Sequence, residues 1–262
     1  MNKTYELTPD KKVEILENAE TLIKLYKAGA LGGKVMPEDA NPHLQKDSDE
    51  NYLYFTLPMA LNYQRNSYKL WESAQKTYFD AETSDVFVPI KVVAMEIDQL
   101  REKLTKYKIA IQPNKHPLIW MELCKTFISD FNGSVKEFFK FNHYSVEKTK
   151  NYIMNHKKQF PYLSGAKIMN YWLYVMEQYT DVKFIDREKI TVAPDTHVIQ
   201  ASVKLGLINN EDINENHIRE IVSDLWNSVF IGTNRCPIDI HTPLWLWSRN
   251  GFSVKVGNTE KH

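Results

Sequence analysis

The chain has 262 residues, enough for one large core or two small lobes, and its 43 % hydrophobic and 25 % charged content is that of a folded globular protein rather than a tail or a linker. Lysine plus arginine equals aspartate plus glutamate, 33 of each, so bulk charge makes no case for a nucleic-acid partner, and any such partner must be met by a local patch. The opening "MNKTYELTPDKK" lacks the apolar run of a secretory signal, no stretch approaches the length of a membrane span, and Cys124 and Cys236 are too few for a four-thiolate metal site. The expectation is a cytoplasmic protein with no membrane partner, no metal and no cofactor, and nothing demands more than a monomer.

The predicted elements are helices almost throughout. "TPDKKVEILENAETLIKLYKAG" has Thr8 as a cap, Pro9 at the first helical position, apolar residues at helical spacing and Gly29 as a stop. After a polar loop, "YLYFTLPMALNYQRNSYKLWESAQKTYF" reads as two helices hinged near Asn66. "VPIKVVAMEIDQLREKLTKYK", "PLIWMELCKTFISDF" and "SVKEFFKF" each open with Pro or Ser or close to it and run at helical period. "SVEKTKNYIMNHKK" begins at Ser145, a good cap, and "FPYLSG" then turns the chain into "AKIMNYWLYVMEQY": two helices joined by a short Pro and Gly turn. Beyond "VKFIDREKITVAPD", helices resume with "DTHVIQASVKLG", "ENHIREIVSDLWNSVF" and "TPLWLWSRNG". No repeat or low-complexity linker interrupts them, so the prediction is an all-α unit of two lobes, approximately residues 60–168 and residues 1–59 plus 169–262.

Two places carry chemistry. A turn that ends on a glycine and enters a helix presents N–H groups without intrahelical partners, which can grip a phosphate. Ser164 and Gly165 form that turn, and from Ser134 to Asn170 seven lysines, among them Lys157, Lys158 and Lys167, stand against two acids. Lysines also decorate any solvated helix face, so charge alone does not decide between the two readings. The second place is "APDTHV", where Asp195 follows a proline at a helix start, with His197 behind it. An aspartate there is an N-cap worth about 1 kcal/mol, and other chemistry is additional to that.

Taken together, the hairpin ending in Gly165-x-Lys167 and the Pro194-Asp195-Thr196-His197-Val198 helix start resemble the helix-hairpin-helix DNA glycosylase superfamily. "KIMNYW", "VKLGLI", "CPIDIHTPLWLWSR" and "MALNYQRNSYKLW" resemble segments of its archaeal 8-oxoguanine glycosylase branch, in islands from roughly residue 55 to 250. The resemblance implies a two-lobed helical fold of that type, a partner that is DNA containing a modified base, and excision of that base with associated abasic-site lyase activity. It implies Lys167 and Asp195 as catalytic residues, Trp71, His241 and Trp245 in the base pocket, and Ser164, Gly165, Lys157, Lys158 and His197 on the DNA.

The match has departures. The superfamily hairpin is usually L-P-G-V-G, whereas "FPYLSG" is one residue longer and short of a glycine. Aligning on "KIMNYW" instead of on G-x-K moves the catalytic position to near Phe160, with Lys158 as a fallback lysine. "DVKFIDREKIT" reads as an insertion, and His241 stands where the archaeal branch has an aspartate that reads the base. These departures keep open a different lesion, a hypermodified phage base, a monofunctional enzyme, and a non-catalytic DNA-binding protein.

Overall fold

A computed structural model describes residues 5–32 and 36–257. Among these residues the chain forms helices and turns and no strand. In order the helices are α1 (Pro9–Lys27), α2 (Asp49–Ala60), α3 (Ser67–Phe79), α4 (Pro89–Ala94), α5 (Ile97–Lys106) and α6 (His116–Phe131). They continue with α7 (Val135–Phe141), α8 (Val146–Asn155), α9 (Ala166–Tyr179), α10 (Thr196–Lys204), α11 (Ile218–Phe230) and α12 (His241–Arg249). Their starts follow the capping chemistry: the side chains of Thr8, Ser48, Asn66, Ser134, Ser145 and Asp195 each accept the backbone N–H three residues on. Among the described residues no helix is long and apolar enough to cross a membrane.

The chain divides into two units, residues 35–187 and residues 1–34 with 188–262. In the first, α2 is the central element. It is apolar on nearly every side, and Asn51 through Ala60 are all buried, as a helix must be when it has no polar face to give to water. It packs on α3, α6, α7 and α9. Phe55 lies between Trp71 at 5.5 Å and Tyr179 at 4.8 Å, while Phe138, Phe139 and Trp172 form a second aromatic group. Polar ties fix the register of α2 on α9: Trp172 Nε1 donates to Thr56 Oγ1 at 3.2 Å, and Asn51 Nδ2 to the Tyr179 carbonyl at 2.9 Å.

The expected lobes divide elsewhere than these units. A boundary at 59/60 would part α2 from α3, α6 and α7, and one at 168/169 would cut α9 near its start; the units divide at 34/35 and 187/188. Residues 1–4, 33–35 and 258–262 lie outside the described residues.

In the second unit α10 packs along α12, and α1 lies on α11 and α12. Ile15, Ala19, Leu22 and Ile23 of α1 are buried, as are Trp226 of α11 and Leu244 and Trp247 of α12, the helices it packs on. Trp226 Nε1 donates to Ser202 Oγ at 2.9 Å and Trp247 Nε1 to the Val254 carbonyl at 2.8 Å, so each buried indole N–H is satisfied. Arg235 holds Glu20 through two bonds of 2.9 and 3.0 Å, which pins the loop before α12 to α1.

Candidate functional site

In the 35–187 unit the hairpin is built as the sequence suggests. α8 ends at Asn155 with His156 as its C-cap, and the chain turns through exposed Lys157 and Lys158. Phe160 and Leu163 are fully buried, and Phe160 packs on Phe127, Phe138 and Tyr152, so the turn is anchored by its apolar residues. The Ser164 N–H donates to the Phe160 carbonyl and the Gly165 N–H to that of Tyr162, both at 3.0 Å. Tyr162 has φ +70°, a left-handed conformation that a tyrosine adopts only where packing imposes it. It stands third in Phe160-Pro161-Tyr162, the place of the first glycine in L-P-G-V-G. Gly165 has an ordinary φ, and its need for glycine is spatial, since a Cβ there would come within 3.3 Å of the Tyr162 carbonyl. It is the N-cap of α9 and, lacking a side chain, leaves the helix mouth without side-chain capping.

Lys167 is the second residue of α9 and is exposed. The apolar face of α9, including Met169, Trp172, Leu173 and Met176, is turned to the core, and Lys167 is on the other side. Burial within this unit therefore does not desolvate the amine. Lys158 is likewise exposed, and the alternative registration falls on buried Phe160, which is not a nucleophile.

The lysine patch is narrower than the sequence suggests. Lys136 pairs with Asp181 at 3.2 Å, Lys140 with Glu137 at 3.2 Å, and Lys150 donates to Asn170 Oδ1 at 2.6 Å. Lys148, Lys157 and Lys158 are exposed and have no ion pair among the described residues. The segment read as an insertion also acts here. Asp186 accepts from the N–H groups of Val146 and Glu147 at 2.6 and 3.0 Å and from the Ser145 hydroxyl at 2.8 Å, so a carboxylate of the protein occupies the N-terminus of α8. Burial acts to raise the pKa of Asp186, and these hydrogen bonds outweigh it and hold the carboxyl below its usual range.

In the second unit Asp195 is the N-cap of α10, its Oδ1 accepting the Val198 N–H at 3.0 Å. Oδ2 has no hydrogen-bond partner among the described residues, so capping uses only one of the two oxygens. His197 stands edge-on to Trp245, ring centroids 5.9 Å apart, with Nδ1 at 3.3 Å from Ser248 Oγ. His241 and Trp245 lie one turn apart on α12, both buried. The arrangement thus brings His197 and Trp245 into contact, with Asp195 two residues before His197. The sequence reading overlooked Arg249, whose guanidinium lies 4.9 Å from the Trp245 ring centroid. The Trp-x-x-x-Arg spacing is the signal that could have found it, because residues four apart meet on a helix.

Trp71 does not line a base pocket. It is 1 % exposed and packs against Tyr54 and Phe55 in the core of the 35–187 unit. Trp247 of the second unit is likewise core, packed edge-on against Phe252. Beside Trp71 in the core of the 35–187 unit lies Glu38, which no motif in the sequence marks. The Glu38 carboxylate is buried in a 3₁₀ turn at Pro37–Asp39 and accepts from the Tyr171 hydroxyl, while Tyr179 donates to Asp39 at 2.9 Å. Burial pushes the Glu38 pKa up to about 7 against the pull of Tyr171. Tyr171 is one helical turn beyond Lys167 on α9. Among the described residues no group of three or more His, Cys, Asp or Glu is placed to hold a metal ion.

Comparison of the sequence with protein-family models and with curated proteins finds no match.

Proposed function

We propose that the protein is a DNA glycosylase of the helix-hairpin-helix type that flips out and excises a modified base, with 8-oxoguanine as the default substrate. The observation that carries this reading is the α8–α9 hairpin. Tyr162 takes at φ +70° the backbone conformation for which the resembled pattern uses glycine, and Gly165 opens α9 without a side-chain cap. A helix mouth of that kind, flanked by exposed Lys157 and Lys158, suits a backbone phosphate.

The chemistry rests on the residues that the resemblance names. Extruding a base costs a few kcal/mol, and the pocket must return it by holding the base against aromatic surface. Trp245 and His241 are the residues of the resembled pocket for that purpose, and Arg249 must move aside to bare the Trp245 face. As the C1′–N bond breaks, positive charge grows on the sugar, and the Asp195 carboxylate, through Oδ2, stabilises it. A charge pair at 4 Å and an effective dielectric near 20 is worth about 4 kcal/mol, roughly a thousandfold in rate. The Lys167 amine then adds to C1′ and loses a proton, the C1′–O4′ bond breaks with O4′ leaving as the C4′ hydroxyl to give the protonated imine, and loss of a C2′ proton expels the 3′ phosphate by β-elimination.

The exposure of Lys167 favours a second reading, in which water attacks C1′ and the enzyme is monofunctional. Borohydride reduction during turnover on DNA containing 8-oxoguanine, with mass spectrometry of released bases from DNA of varied origin, separates the two. A covalent adduct that disappears in Lys167→Ala supports the lyase. Base release without an adduct, reduced at least a hundredfold in Asp195→Asn, supports the monofunctional enzyme. DNA binding with no base released from any source leaves a module that only grips phosphates and sinks both enzymatic readings.

A further inference from the structure

A cationic recess lies in the 35–187 unit, away from the hairpin in sequence, between α3 and the turn that ends α5. It has a volume of about 450 Å³ and its walls include Arg65, Lys69, Glu72, Lys76, Lys106 and Lys108. Two of the five cations are neutralised. Lys76 pairs with Glu72 at 2.6 Å, and Lys106 bridges Asp80 and Glu82, both at 2.6 Å. Arg65, Lys69 and Lys108 have no carboxylate within ion-pair distance among the described residues.

Arg65 is the fixed member of this set. Its Nη1 donates to the carbonyls of Lys108 and Ile109 at 2.8 and 2.9 Å, and its Nη2 lies 3.4 Å from the Lys69 carbonyl and from Ser73 Oγ. Every one of these acceptors is neutral, and the buried Nε has no acceptor among the described residues. A guanidinium does not give up its proton, so a full positive charge is held in the wall of the recess without a counterion. Its field is felt nearby: fully buried His116 is pushed down to about 4, first by burial and then by the Arg65 charge. Arg65 thus supplies charge and position, since most of its donors are already used. Lys69 and Lys108 are exposed on the rim and supply ammonium donors that can turn toward a ligand.

We propose that this recess is a phosphate-binding site, in which Lys69 and Lys108 clasp a phosphate group over the Arg65 charge. Three uncompensated cations match an anion carrying one to two charges and several acceptor oxygens better than they match a single carboxylate. The phosphate comes either from a nucleic-acid strand or from a free phosphate, and the site stands whether or not the protein releases a base.

The test compares the wild-type protein with the double variant Lys69→Gln, Lys108→Gln, which leaves Arg65 and the core untouched; matched thermal unfolding checks the fold. Binding to unmodified duplex DNA is measured across a salt series, and binding of inorganic phosphate by calorimetry. If a strand supplies the phosphate, the slope of log K against log salt becomes shallower by about 1.8 in the variant, two contacts at about 0.9 each. If a free phosphate is the ligand, inorganic phosphate binds the wild type and not the variant, while the DNA slope is unchanged. Equal slopes and equal phosphate binding in both proteins overturn the proposal, as does a wild type that binds neither. Base release is read in parallel. Its absence with an intact difference in the recess sinks the glycosylase alone, and its presence without that difference sinks the recess alone.

Discussion

Glu38 shows how far a single side chain can depart from its solution chemistry. Its carboxyl meets Tyr171 and Trp71, with Asp39, Tyr174 and Tyr179 nearby, and burial holds its proton up to about pH 7. Because the folded-state pKa is raised, the native protein binds more protons than the unfolded chain between about 4.5 and 7, so stability falls as pH rises through that window. At 1.36 kcal/mol per unit the loss is on the order of 3 kcal/mol. Chemical denaturation at about pH 5 and about pH 8 should show it in the wild type, and Glu38→Gln should flatten it. Equal pH slopes in the two proteins would contradict the account. The sequence did not disclose Glu38, because nothing local buries it: its environment is made by residues of α3 and α9, more than thirty and more than a hundred and thirty positions away. Asp195, by contrast, was legible as a cap, since its partner is three residues on. Trp71 was ambiguous because an aromatic on the buried face of a helix looks the same whether it lines a pocket or fills a core.

Helices were the most legible level. Capping residues and apolar period located nearly all of them, and the one stretch that differs, "VPIKVVAMEIDQLREKLTKYK", breaks where Met95 and Glu96 become extended between α4 and α5. What one helix end does for another was not legible. Asp186 reaches α8 from forty residues downstream and satisfies two of its first-turn N–H groups together with the Ser145 hydroxyl. Removing it in Asp186→Ala should cost about 1–2 kcal/mol at neutral pH, by the worth of a capping side chain. As a carboxylate whose pKa is lowered, it contributes above its unfolded value of 3.8 and the contribution fades as pH falls through the folded one. Urea midpoints of the two proteins should therefore converge in acid. A variant as stable as the wild type at pH 7 would show that water caps α8 equally well.

At the scale of the molecule, the sequence indicated two helical lobes with edges at 59/60 and 168/169 rather than 34/35 and 187/188, and no local pattern encodes the packing of α2 on α6 and α7, more than fifty residues further on. The 35–187 unit is one continuous stretch with its own aromatic core. Expressed alone, it should keep its helical circular dichroism and melt in a single cooperative transition, with several kcal/mol of stability. A fragment that is unfolded or melts without cooperativity would mean that this unit depends on the other.

The other unit is assembled from the two ends of the chain, with α1 lying on α11 and α12. On the ribosome α1 therefore emerges well before α11 and α12, the neighbours it packs on. Its apolar stripe of Ile15, Leu22 and Ile23 stays uncovered while everything between is translated. Nascent chains stalled before residue 218 should accordingly present that stripe to chaperones, and release of α11 and α12 should withdraw it.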